Sequence, residues 1–210
     1  TAAKAERIAG QMRNAGRACA VCESVEKLLA LKPDILVETA SPAALREWAV
    51  PTLKNGTSIV TLSIGALADD AFYREVSAVA KENGTRIYIA SGATGGFDVL
   101  RTAALMGGAS ARFFNEKGPD ALKGTPVYTD SLQTEQKIVF SGNAAEAIRL
   151  FPTKVNVTVA ASRASVGPEA MHVTIQSTPG FKGDTQRVEI ENEQVRAVLD
   201  VYSATAEIAG

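Results

Sequence analysis

Ser91-Gly92-Ala93-Thr94-Gly95-Gly96 gathers glycines and hydroxyls into one short turn. Arg86 to Ala90, before it, reads R-I-Y-I-A, a β-rich segment. Phe97 to Met106, after it, carries apolar residues at helical spacing. The turn therefore joins the C-terminal end of a strand to the N-terminus of a helix. In an open α/β sheet, ligands bind at that place. Free N–H groups and the positive end of the helix dipole suit an anion there. The competing reading is a plain strand-to-helix connection in which the glycines only supply positive φ.

Two more predicted strands end in the same style, at Glu38-Thr39-Ala40-Ser41 and at Leu62-Ser63-Ile64-Gly65. Small residues let a backbone approach a ligand closely, and hydroxyls bond ribose or substrate oxygens. Ala40, Ser41, Ser63, Gly65, Gly92 and Ala93 are the candidate ligand-binding positions on these ends. Cys19-Ala-Val-Cys22 has the spacing of a redox pair or half a zinc site. The chain has no second Cys or His pair to complete a zinc site, because its one histidine is His172. Two reduced cysteines near a short strand over Arg17 to Val21 are expected, in keeping with a reducing cytoplasm.

The elements that must hold these residues alternate in the first part of the chain. Helices are expected over Ala2 to Asn14, Val25 to Leu31, Ser41 to Lys54 and Asp69 to Asn83. Strands are expected over Asp34 to Ala40, Thr57 to Leu62 and Arg86 to Ala90, with Ser63 to Leu67 as a loop. Ser41-Pro42 is a helix start, with Ser as cap and Pro at the first position. Pro51 predicts a kink or break. Such alternation predicts a parallel sheet with helices on both faces.

From Ala109 the alternation stops. Strands are expected over Ala111 to Asn115, Lys137 to Phe140, His172 to Ser177, Gln186 to Glu191 and Arg196 to Tyr202. Asn143 with Glu146 makes a capping box for a helix running to Phe151. Val155 to Ser165 reads as helix rather than strand, and Gly118 to Thr134 as a polar connector. Ala204 to Gly210 looks like the opening of another helix. The fold class is α/β: a Rossmann-like parallel sheet over residues 1–92, then an α+β domain with a mixed or antiparallel sheet over residues 93–210. A formal net charge of −1 argues against a nucleic-acid or anionic-membrane partner. No run approaches the ~20 apolar residues of a membrane span, and T-A-A-K-A-E-R is not a signal peptide.

Several motifs together resemble one family. Ser91-Gly92-Ala93 followed by Gly95-Gly96-Phe97-Asp98-Val99-Leu100-Arg101 is similar to the S-G-A-x-G-G-x-D-x-L-R segment of the L-aspartate dehydrogenases. Phe151-Pro152-Thr153-Lys154-Val155-Asn156-Val157 resembles that family's F-P-x-x-x-N-V segment, and Glu146 to Leu150 its E-A-x-R-L run. The resemblance implies an NAD- or NADP-dependent enzyme with a Rossmann domain and an α+β catalytic and dimerisation domain. It implies interconversion of aspartate and iminosuccinate, an entry to nicotinamide nucleotide synthesis. Ala93 and Asn156 fall at its cofactor-binding positions, with Asn156 near the nicotinamide carboxamide. The competing reading of Asn156 is a helix cap after Pro152.

Two departures from the family's pattern follow. The strand and G-x-G-x-x-G turn that open a dinucleotide fold are not among these 210 residues: either the protein is truncated there, or the opening lies outside this sequence, or the domain does not bind a nucleotide. The family's catalytic His lies in an N-x-H-x-I/V-like stretch, which here reads Gly183-Asp184-Thr185-Gln186-Arg187-Val188. Gln186 thus stands at the catalytic position without a titratable group. It could orient a carboxylate or an imine. His172 lies on another predicted strand and does not replace it. Arg101, Lys154 and Arg163 are candidate partners for substrate carboxylates. The expectation is a cytoplasmic, homodimeric oxidoreductase acting on a dicarboxylic amino acid with NAD or NADP. A catalytically inactive binding module and a reductase of another small acid are the alternatives.

Overall fold

A computed structural model describes residues 2–92, 94–151 and 156–204. The chain divides into two compact units, Thr1–Thr61 with Arg74–Tyr88, and Leu62–Tyr73 with Ile89–Gly210.

The first unit contains helices α1 (Ala2–Asn14), α2 (Val25–Ala30) and α3 (Pro42–Lys54), and strands β1 (Ile35–Glu38) and β2 (Ser58–Thr61). The second half of α4 (Asp70–Glu82) and most of β3 (Ile87–Ile89) complete it. The strands form one sheet in the order β1-β2-β3, with β1 and β2 parallel. Helix α3 packs on both. Its cap is the Ser41 hydroxyl, which accepts the Ala44 N–H at 3.1 Å. Pro51 does not break it. The missing N–H leaves the carbonyl of exposed Glu47 to solvent, while Leu45, Ala49 and Leu53 anchor the same helix at 1%, 0% and 0% exposure. Arg17 to Cys22 forms no strand. With one charged and four small residues among these six positions, and no described strand paired with it, it has no ladder to join.

The second unit is built on a five-stranded mixed sheet in the order β5-β6-β4-β7-β8. Its strands are β4 (Ser110–Lys117), β5 (Lys137–Asn143), β6 (His172–Ser177), β7 (Asp184–Glu191) and β8 (Arg196–Ser203). Strand β4 runs parallel to β6 and antiparallel to β7. Helix α5 (Phe97–Leu105) lies on β7, and α6 (Ala144–Leu150) lies on β5 and β6 and against α7 (Asn156–Arg163). The expected capping box is present: the Asn143 side chain accepts the Glu146 N–H, and the Glu146 side chain accepts the Asn143 N–H. One face of the sheet holds Phe113, Val173, Ile175, Val188 and Ile190, all buried. The expected loop after β2 is a 3-10 helix, Ile64–Ala68. Ile64, Ala66 and Leu67 are buried in it, and that apolar run drives it to coil rather than stay extended. The connector after β4 contains two further 3-10 turns, Pro119–Leu122 and Asp130–Gln133. No described helix is long and apolar enough to cross a membrane.

Glu38 closes β1 and is 3% exposed. Its Oε1 accepts the N–H groups of Ala40 and Ser41 at 2.7 and 3.0 Å, and its Oε2 accepts the Thr61 hydroxyl at 2.8 Å. One carboxylate thus shapes the turn after β1 and ties it to the end of β2. Glu38→Ala strands two amides and a hydroxyl, and should destabilise this unit by ~2–3 kcal/mol. Glu38→Gln keeps an oxygen for the amides and should cost less than half of that. Chemical denaturation of the three proteins measures it, and equal losses would refute the role given to the carboxylate oxygens.

Candidate functional site

The buried face of the five-stranded sheet changes character along its length. On β4, Ala111, Phe113, Asn115 and Lys117 share that face, because side chains alternate with period two. On β7 the same face carries Ile190, Val188, Gln186 and Asp184. The register pairs Phe113 with Val188, Asn115 with Gln186 and Lys117 with Asp184. An apolar stripe on two neighbouring strands therefore turns polar at the same level on both.

Asp184 organises the polar end. Its Oδ2 accepts Lys117 Nζ at 2.9 Å and Gln186 Nε2 at 3.1 Å. Its Oδ1 accepts Asn115 Nδ2, which also donates to the Thr185 carbonyl at 2.9 Å. Asn115 and Gln186 are each 5% exposed. The Lys117 and Asp184 side chains are 13% and 29% exposed, so the pair is shielded more than a surface ion pair. Among the described residues, four buried side-chain atoms lack a hydrogen-bond partner: Thr52 Oγ1, Thr94 Oγ1, Ser177 Oγ and Gln186 Oε1. Ser177 stands opposite Lys117 on β6, so two of the four belong to this end of the sheet.

The Gly-rich turn lies over the same face. Gly96 has φ +69°, and a Cβ there would come 2.5 Å from Leu199 Cδ2. The positive φ favours glycine, and a larger residue would also have to displace the end of the Leu199 side chain. Leu199 pairs with Val188, two residues along β7 from Gln186, and Val201 pairs with Gln186 itself. Thr94, within the turn, is 6% exposed with its hydroxyl unpartnered. Gly92 has φ +64°, and Ala93 lies outside the described residues.

Asn156 and Gly65, two candidates from separate motifs, are in direct contact. Asn156 Oδ1 accepts the Gly65 N–H at 3.0 Å. The Asn156 oxygen is committed to this bond, and its Nδ2 donor is the group left to offer. Arg163, at the other end of α7, grips the same segment. Its Nε donates to the Leu67 carbonyl at 3.1 Å, and its Nη2 reaches Asp70 Oδ1 at 2.6 Å. Its guanidinium lies 4.2 Å from the Tyr73 ring centroid. With its side chain 9% exposed, Arg163 clamps this segment. Arg101 is exposed on α5, and Lys154 lies outside the described residues. Ser63, 8% exposed, precedes the 3-10 helix. In the first unit, the Ala40 and Ser41 amides are held by Glu38.

His172 is exposed beside Ser141 on β6, its Nε2 3.3 Å from Ser141 Oγ. Val173, Ile175 and Ser177 point to the buried face, so His172 points to the opposite one. Cys19 and Cys22 are free thiols, and no described group of His, Cys, Asp or Glu is arranged for a metal. Asn115, Lys117 and Asp184 were not among the sequence candidates. Their signal was a polar residue continuing an apolar period-two stripe, which alternation alone reads as a strand fraying into solvent.

Residues 98–207 match the family model described as aspartate dehydrogenase, C-terminal, and residues 3–90 match that of the homoserine dehydrogenase NAD binding domain. The L-aspartate dehydrogenase of Methanosarcina mazei is 33% identical over 174 residues, 80% of this chain and 64% of that protein. The L-aspartate dehydrogenase of Methanocella arvoryzae is 32% identical over 197 residues, 91% of this chain and 71% of that protein. The chain thus spans about two thirds of the length of these relatives. The crystal structure of aspartate dehydrogenase from Thermotoga maritima superposes with a TM-score of 0.70 at 29% identity, covering 80% of this chain and 68% of that one. An archaeal homoserine dehydrogenase shares the fold at a TM-score of 0.57 and 16% identity. A family model across the whole mixed sheet, and relatives at about one third identity across both units, agree with the motifs around Gly92 and Asn156: the chain belongs to the L-aspartate dehydrogenase family.

Proposed function

We propose that the protein is an NAD(P)-dependent oxidoreductase that interconverts aspartate, or a closely related dicarboxylic amino acid, with its imino or keto acid. The observation that carries this reading, in a chain of this family, is that the Gly-rich turn and Gln186 each hold a buried polar atom without a partner, Thr94 Oγ1 and Gln186 Oε1. Buried polar groups are rarely left unpaired, and a bound group is one way such atoms are satisfied.

The residues present suit a dinucleotide. Ala40, Ser41, Ser63, Gly65, Gly92 and Ala93 are proposed to line its path with small side chains and backbone. The Asn156 Nδ2 donor is proposed to meet the carboxamide oxygen, since its oxygen is already used by Gly65. The nicotinamide, when bound, supplies the hydride acceptor. Residues 1–92 are proposed as the cofactor domain, and residues 93–210 as the substrate and dimerisation domain. Val198 and Tyr202, 39% and 59% exposed on the uncovered face of β8, support a homodimer formed through that sheet. A cytoplasmic enzyme feeding nicotinamide nucleotide synthesis, with no nucleic-acid or membrane partner, fits this reading.

A second reading draws on Gln186 itself. Forming and hydrolysing an imine moves protons on nitrogen and water, and a positioned His is worth ~10²–10⁴-fold there. Gln cannot exchange a proton near neutral pH. A binding module without chemistry, or a reductase of an acid that needs less proton handling, is favoured by that one residue.

Two measurements separate these readings. Gln186→His should raise aspartate-dependent nicotinamide reduction by ~10²-fold or more. High aspartate turnover by the natural protein, with no gain from the substitution, would remove Gln186 from the catalytic position. A panel of small amino and hydroxy acids, assayed with both cofactors, distinguishes an altered substrate from an inactive module. For the cofactor, Asn156→Asp keeps the oxygen that accepts the Gly65 N–H but removes the Nδ2 donor. It should leave thermal stability nearly unchanged and weaken NADH or NADPH binding by about tenfold, measured by calorimetry. Unchanged affinity would take the carboxamide contact away from Asn156.

A further inference from the structure

We infer that Asp184 is a positioning residue that locks the Gln186 amide in one orientation, so that the group recognised by Gln186 is an N–H or O–H donor and not a carboxylate. The inference rests on Gln186 being the substrate-facing residue proposed above. The argument turns on what each group is able to do. A carboxylate only accepts hydrogen bonds, whereas a Gln amide donates at one end and accepts at the other. Asp184 Oδ2 stands 3.1 Å from the Gln186 amide. The end facing Asp184 must therefore be the NH₂, because the reversed amide would set two acceptors against each other. The orientation follows from the chemistry of the partner.

Three further contacts keep Asp184 an acceptor in a fixed place. Lys117 Nζ lies 2.9 Å from the same Oδ2, and Asn115 Nδ2 donates to Oδ1. Asn115 is itself fixed by its bond to the Thr185 carbonyl at 2.9 Å. Strand register supplies the rest, since Lys117 faces Asp184 and Asn115 faces Gln186 across one antiparallel pair. The two amides, Asn115 and Gln186, are each 5% exposed, so rotation of the Gln186 amide would break a bond that solvent does not readily replace.

What remains of Gln186 is Oε1, buried and without a partner. An oxygen in that condition is a poor neighbour for a substrate carboxylate, because two acceptors with no proton between them repel. It is a good neighbour for an amino, imino or hydroxyl group. At the position where the family resemblance leads one to expect a His, this chain thus keeps the means to recognise the substrate's nitrogen.

The test compares dicarboxylates that differ only at the α-carbon. Aspartate carries an ammonium there, malate a hydroxyl and succinate two hydrogens. Binding is measured by calorimetry on the natural protein with NADH present. Aspartate and malate should bind about tenfold more tightly than succinate. Gln186→Met, which leaves the Asp184–Lys117 pair in place, should erase the preference, so that aspartate and malate bind no more tightly than succinate. Asp184→Ala should erase it too, although Gln186 is intact, because the amide is then free to turn. A preference that survives Asp184→Ala would overturn the positioning role. The orientation is read independently in ¹⁵N-labelled protein without any ligand. The Gln186 side-chain amide protons should be slow to exchange, and fast in Asp184→Ala; equal exchange would overturn the lock. Failure of all three dicarboxylates to bind, with the amide still protected, would overturn the substrate reading and the donor preference while leaving the locked orientation standing.

Discussion

An acceptor that cannot donate governs the polar end of the mixed sheet. Asp184 receives hydrogen bonds from a lysine, an asparagine and a glutamine on two strands. All three partners are donors toward it, so their remaining atoms are directed elsewhere by default. This is how a single carboxylate orders a site. It compensates the Lys117 charge, sets one amide by direct contact and leaves the free acceptor of that amide on the other side. The cost of burying the pair is met by several charge-assisted bonds rather than one.

The same economy appears where α7 meets the segment after β2. Asn156 at one end of the helix takes the Gly65 N–H, and Arg163 at the other takes the Leu67 carbonyl and Asp70. A 3-10 helix has poor internal hydrogen-bond geometry and seldom persists on its own strength. Two side chains at the ends of an eight-residue helix hold this one by its backbone. That explains why two residues that look like ligand binders in sequence carry structural bonds. A side chain with several donors or an amide can do both only if one of its atoms is left over. Asn156 has such an atom, while the Arg163 guanidinium is covered by Tyr73.

Much of the architecture was legible because its signals are local. The Ser41-Pro42 start, the Asn143 capping box and the alternation of Val173 and Ile175 each depend on neighbours a few residues away. The helix through Pro51 was harder to read. Propensity counts the lost N–H, but the three buried side chains that outweigh it are fixed only by packing. The strand expected at Arg17 failed for the complementary reason, since a β-prone run needs a partner that sequence cannot supply. Gln186 was reached through motif resemblance. Its partners were not, because Lys117 and Asp184 are 67 residues apart and meet only through strand register.

Parity along the strands decides the chemistry more firmly than proximity in the chain. His172 is the one histidine of the sequence, the residue type most used for proton transfer. It sits on β6 with its neighbours Val173 and Ile175 turned the other way. A slip of one residue in β6 would bring it to the face that carries Gln186, but would also expose Val173, Ile175 and Ser177 and bury Thr174 and Gln176. The apolar core therefore forbids the exchange. A proton-transferring side chain can be gained on this face only at positions of the right parity, and Gln186, already buried, oriented and matched to an acceptor at its NH₂ end, is the position where an imidazole would find its hydrogen-bond partner waiting in Asp184.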